Sequence, residues 1–145
     1  MKLSPINILL VEDNEGDILL TTEALEEAKI SKSLKVIRDG ASTLLYLKDV
    51  AGKSPSELPD LILLDINLPK KNGHEVLREV KSNSLLMHIP IIILTTSSSD
   101  SDILKCYQEH ANCYLIKPVE VSDFIKLVEK IEDFWLNVVK LSKMN

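Results

Sequence analysis

Leu61-Ile62-Leu63-Leu64-Asp65 decides the fold: four apolar residues in a row, without alternation, ended by a carboxylate. A run that lacks period-two alternation suits a strand buried on both faces, as in a parallel sheet covered by helices. The same form recurs along the chain. Ile8-Leu9-Leu10-Val11 runs into Glu12-Asp13, Ile91-Ile92-Ile93-Leu94 into Thr95, and Tyr114-Leu115-Ile116 into Lys117-Pro118, with Leu34–Arg38 as a further strand. Between these runs, residues fall at helical spacing: Ile18, Thr22, Leu25 and Ala28, then Leu44, Leu45, Leu47 and Val50, then Val76, Leu77 and Val80. Asp39-Gly40 closes the second strand, Gly73 opens the third helix, and Asp100 or Ser101 is the expected cap of the fourth. The alternation predicts a doubly wound α/β domain: five parallel strands, right-handed crossovers and helices on both faces.

In that arrangement Glu12, Asp13, Asp65, Thr95 and Lys117 gather at the carboxyl edge of one sheet, where such domains bind ligands. Residues 51–59 read as an irregular surface loop, and 82–89, before Pro90, as a second and more apolar connection. Neither divides the chain. With 145 residues, 45% of them hydrophobic, the expectation is one domain over residues 1–145, with no linker to an output domain.

A net charge of −5 argues against direct binding to nucleic acid or to an anionic membrane. Apolar runs of four or five residues fall far short of the roughly 18 that suggest a membrane span, and no signal peptide is visible, so the expected location is the cytoplasm. Cys106 and Cys113 show no metal-site spacing and read as reduced core thiols. His74, His88 and His110 likewise read as ordinary surface residues, and Lys70-Lys71 as a solvated loop.

Magnesium takes oxygen ligands, often one or two carboxylates plus phosphate oxygens, and Glu12, Asp13 and Asp65 meet that need. Three carboxylates crowded together without a cation repel one another, so the cluster itself argues for a bound ion. Asp65, alone at a strand end, is the candidate nucleophile towards phosphorus, forming an acyl phosphate. Lys117 can pair with a carboxylate before reaction and a phosphoryl oxygen afterwards, and the Thr95 hydroxyl can bond another oxygen.

On these residues the chain resembles the receiver domains of two-component response regulators. The matching pieces are Leu10-Val11-Glu12-Asp13-Asn14, Leu64-Asp65-Ile66-Asn67-Leu68-Pro69 with Gly73, Leu94-Thr95-Thr96, and Lys117-Pro118. The resemblance implies a flavodoxin-like sheet of order 2-1-3-4-5, Asp65 as phosphoacceptor, and magnesium held by Asp13, by Glu12 through water, by Asp65 and by the Asn67 carbonyl. It also implies Thr95 and Lys117 as phosphoryl sensors, Tyr114 as a switch aromatic, and a cis Lys117-Pro118 bond, which X-Pro chemistry allows. Thr96 departs from the small residue often found at that position, and its bulk can restrict access to the site. More narrowly, Asp65–Gly73, Leu94-Thr95-Thr96-Ser97, Ala111-Asn112-Cys113-Tyr114 and Phe134-Trp135 resemble stand-alone regulators that partner bacterial phytochromes.

From Glu120 onward the spacing predicts one long helix with two apolar stripes. Val121, Phe124, Val128, Ile131, Trp135 and Val138 would cover the sheet, while Leu127, Ile131, Phe134, Val138 and Leu141 form a heptad-like seam suited to a symmetric homodimer. The resulting expectation is a single-domain response regulator, a signalling protein and not an enzyme, phosphorylated on Asp65 by a sensor histidine kinase. Alternatives are an unphosphorylated docking module and an aspartyl-phosphate phosphatase. The phosphatase is disfavoured because Asn67 stands where such enzymes usually carry a second acid.

Overall fold

In the computed structural model, which describes residues 5–27 and 32–142, every residue of 61–64 and 91–95 is buried. Those segments are β3 (Leu61–Leu64) and β4 (Ile91–Thr95), flanked by β1 (Ile6–Val11), β2 (Lys32–Ile37) and β5 (Cys113–Ile116). All neighbouring pairs are parallel, and the order is β2-β1-β3-β4-β5, as expected. The reversal lies between β1 and β3, so the carboxyl ends of these two strands flank the crevice.

Successive strand residues point to opposite faces, and the two faces carry separate cores. Leu9, Val11, Ile62, Leu64, Ile91 and Ile93 pack with Leu44 and Leu47 of α2 (Gly40–Lys53) and Val76, Leu77 and Val80 of α3 (Gly73–Ser82). Ile8, Leu10, Leu61, Leu63, Ile92 and Leu94 pack with Ile18 and Leu25 of α1 (Glu15–Glu26) and Phe124, Val128 and Ile131 of α5 (Val121–Glu132). Completing the set, α4 (Asp100–Gln108) buries only Cys106. No described helix is long and apolar enough to cross a membrane.

Local chemistry sets the helix starts. Asn14, Asp39 and Asn72 cap α1, α2 and α3 through side-chain oxygens, and Asn72 forms a reciprocal capping box with Glu75. The cap of α4 is Ser99, not Asp100 or Ser101, because its hydroxyl accepts the Asp102 N–H at 3.2 Å. Leu45 faces solvent on the outer side of α2, and Ala28 lies outside the described residues. The 51–59 stretch is more regular than expected: α2 runs to Lys53, a short 3-10 turn spans Pro55–Glu57, and Leu58 is buried.

The C-terminal segment departs most from its sequence pattern. The α-helix ends at Glu132, a π turn covers Asp133–Val138, and Val139 is extended, with its N–H bonded to Phe134 O at 2.8 Å. This i→i+5 winding breaks the four-three spacing of the predicted seam. Leu141 falls beyond the helix and Ile131 packs into the chain's own core. Val121 and Val138, expected on the sheet, are instead 55% and 71% exposed.

Candidate functional site

Strand ends deliver the site. Asp65 N–H bonds to Val11 O at 3.0 Å, Glu12 N–H to Ile37 O at 3.1 Å, and Lys117 N–H to Thr95 O at 2.7 Å, so the ladder continues into the polar residues themselves. Glu12, Asp65, Thr95 and Lys117 are all buried, while Asp13 is exposed at the rim. The Lys117 ammonium spends its three N–H donors on three carboxylates: Glu12 at 2.8 Å, Asp17 at 2.9 Å and Asp65 at 3.1 Å. Carboxylate oxygens of Glu12, Asp13 and Asp65 lie within 4.8 Å of one another.

Burial pushes the Glu12 carboxyl up to about 7; the Lys117 hydrogen bond opposes this and the negative charge of Asp65 adds to it. Asp65 goes the other way. Burial raises it too, but hydrogen bonds from Glu12 and Thr95 and the charge of Lys117 outweigh that and hold it below the usual carboxylate range. Lys117 is likewise opposed by burial, yet its bonds to Glu12 and Asp17 and the charge of Asp65 keep its pKa raised and the amine charged. The two carboxyls are thus pushed in opposite directions, Glu12 up by burial and Asp65 down by its neighbours.

That donor set fits a hard divalent cation. Three carboxylates converge, the Lys117 ammonium offsets part of their charge, and Asp13 is open to solvent, where a metal could keep its waters. Asn67 sits in the turn after Asp65, with its N–H donating to Asp65 Oδ1 at 3.3 Å. The Tyr114 hydroxyl donates to Ser97 O at 2.9 Å, in the segment that follows Thr95.

Close backbone packing shapes the Asp65 loop. A Cβ on Gly73 would collide with Asp65 O and lie 2.6 Å from Ile66 Cα, and one on Gly40 would meet Lys71 O. Lys70 and Lys71 adopt φ of 49° and 78°, a left-handed conformation disfavoured for L side chains, and Gly40 N–H bonds to Pro69 O at 3.2 Å across the same loop. The Lys70-Lys71 loop is therefore exposed but not unconstrained.

Two expectations are corrected here. No described peptide bond is cis, so Lys117-Pro118 is trans; trans is the intrinsically favoured isomer, and Lys117 reaches all three carboxylates from it. His74 is buried, with Nε2 2.9 Å from Asp102 Oδ1, because it stands on the inner face of α3. Sequence reasoning also missed Asp17. Its signal was its place four residues after Asp13 in the first turn of α1, where a carboxylate also suits the helix dipole.

Comparison with known proteins points one way. The profile of the response regulator receiver domain matches residues 8–129. The chain is 44% identical over 137 residues to the response regulator Rcp1 of Synechocystis sp., covering 94% of this chain and 93% of that protein. Among solved structures it superposes on the phosphorylated cyanobacterial phytochrome response regulator RcpA with a TM-score of 0.91 at 41% identity, covering 97% of this chain and 100% of the other. The Mn2+-bound form of Rcp1 gives a TM-score of 0.89 at 44% identity, covering 95% of this chain and 99% of that one.

Proposed function

The chain belongs to the response regulator receiver family, and from that premise we propose that Asp65 accepts a phosphoryl group from a phosphohistidine of a sensor kinase with magnesium present. The observation that carries this reading is the single ammonium of Lys117 tied at once to Glu12, Asp17 and Asp65, with Asp13 beside them. An Asp65 oxygen attacks phosphorus, a P–O bond forms as the P–N bond to imidazole breaks, and the departing imidazole takes a proton from solvent. Asp13, Asp65, the Asn67 carbonyl and, through water, Glu12 would hold magnesium, whose charge would offset that on the phosphoryl oxygens.

The chain's own groups do the rest. Lys117 keeps Asp65 ionised and then pairs with a phosphoryl oxygen, while the Thr95 hydroxyl turns to another oxygen. Movement of Thr95 is followed by Tyr114 turning inward, and the surface around α4 and α5 changes. The signal is that change of shape. Phytochrome-related relatives support a phytochrome-type kinase as donor.

Self-association is part of the reading. Phe134 and Val138 in the C-terminal turn are 52% and 71% exposed and offer apolar surface suited to a second copy. Intact mass after incubation with magnesium and a small acyl phosphate tests the acceptor: wild type gains one phosphoryl group and Asp65→Asn gains none. Absence of any gain by wild type leaves the docking-module alternative standing.

A further inference from the structure

Phosphoryl acceptance makes no use of His74, yet this residue sits at a junction. It follows Gly73, whose N–H donates to Ile66 O at 2.7 Å in the loop leaving Asp65. Its Nε2 meets Asp102 Oδ1 at 2.9 Å, and its Nδ1 lies 3.6 Å from Cys106 Sγ. The other Asp102 oxygen accepts the Ser97 hydroxyl at 2.6 Å. Ser97 in turn accepts the Tyr114 hydroxyl on its carbonyl and turns its N–H towards Thr95 Oγ1 at 3.5 Å.

An activated thiol is the first reading that a His–Cys contact suggests. It does not hold, because Cys106 is fully buried and its thiol is pushed up to about 11, by burial first and then by the charge of Asp102. Reactive thiols need the opposite on both counts. The partner that matters to His74 is Asp102.

We propose that His74 and Asp102 are positioning residues that clamp Ser97, so that its carbonyl is placed to capture the Tyr114 hydroxyl and the Asp65 loop is coupled to the switch aromatic. This rests on the reading of Tyr114 as the follower of Thr95. The other hydrogen bonds of Ser99 stay within this segment and the first turn of α4, Thr96, Ser98 and Ser99 are exposed, and α4 buries only Cys106 among its nine residues. Against that loose background a buried imidazole and a short hydroxyl-carboxylate bond dominate the local restraint. The Ser97 hydroxyl, then His74, hold Asp102 below the usual carboxylate range, as expected of an ionised acceptor.

The test uses the full chain labelled with 3-fluorotyrosine and read by fluorine NMR without phosphodonor. Three tyrosines are present, Tyr46, Tyr107 and Tyr114, and Tyr114→Phe assigns the resonance of interest. Ser97→Ala and Asp102→Ala each move the Tyr114 resonance towards solvent and lower its inward-to-outward ratio roughly threefold to tenfold, the value of one such hydrogen bond. His74→Gln does so in part. The Ser97→Ala/Asp102→Ala double variant goes no further than either alone, because the two act in series. Tyr46 stays unmoved throughout. Ser99→Ala weakens α4 by removing its cap but leaves Tyr114 in place, which separates positioning from general loosening. An unmoved Tyr114 resonance in Ser97→Ala and Asp102→Ala overturns the clamp. A wild-type resonance that ignores phosphorylation registered by mass sinks the switch reading instead, and the variant comparison still judges the clamp.

Discussion

Replacing Lys117 by methionine removes one charge and leaves Glu12 and Asp65 ionisable and buried, with side chains 3% and 8% exposed. Asp17, at 25%, can recover solvent and adds little. Deleting one partner of a buried ion pair costs about 3–5 kcal/mol, against a total stability of about 5–15 kcal/mol for a domain. At this chain length that lowers Tm by roughly 6–20 °C. The loss has a pH signature. Without the ammonium, both carboxyls are raised above their unfolded values, so the penalty is complete at pH above their folded pKa and fades as pH falls and they protonate. It has a metal signature too, because a divalent cation at the three carboxylates replaces the missing charge, so magnesium stabilises Lys117→Met more than wild type. Thermal unfolding of both proteins at pH 7.5 and pH 5, with and without magnesium, checks each point. Equal stability of the two at pH 7.5 without metal, or a deficit indifferent to both pH and magnesium, refutes the reasoning.

Burial holds Glu12 near 7, so the folded metal-free state binds a proton more tightly than the unfolded chain. Its contribution to stability is present below about pH 4.5 and is lost as pH rises through about 7. Magnesium binding must then release a proton at pH 6 and little at pH 8.5, and calorimetry in buffers of different ionisation enthalpy measures the release. Gly73→Ala forces its Cβ into the Asp65 backbone, lowering stability by about 1–3 kcal/mol and slowing acceptance from an acyl phosphate. Gly52, in α2 with open space around it, behaves oppositely: Gly52→Ala gains about 0.5–1 kcal/mol in denaturant unfolding. Phe134→Asp gives a monomer where light scattering finds wild type dimeric, and equal monomeric masses remove the proposed interface.

The parallel sheet was legible because β3 and β4 are covered on both faces, and that burial writes itself as Leu61–Leu64 and Ile91–Leu94 without alternation. The gathering of Glu12, Asp13, Asp65, Thr95 and Lys117 was legible for the same reason, since parallel strands end at a common edge. Residue type and place along a strand are local quantities. What was illegible depends on which helix face meets which neighbour. Asp17 reaches Lys117 across 100 positions of sequence, and His74 reaches Asp102 across 28, contacts that no spacing announces. The winding of the C-terminal segment was illegible as well, because its four-three spacing carries no mark of the π turn over Asp133–Val138.

By itself, then, the sequence determined the alternation of elements and the chemical identity of the strand ends, because hydrophobic burial and strand direction act residue by residue. Tertiary structure alone decided that one ammonium serves three carboxylates, that the pKa of Glu12 is raised while that of Asp65 is lowered, and that Ser97 is tied to α3 through Asp102 and His74. Those properties come from distances of a few ångströms between groups far apart in the chain, in a medium that water does not screen.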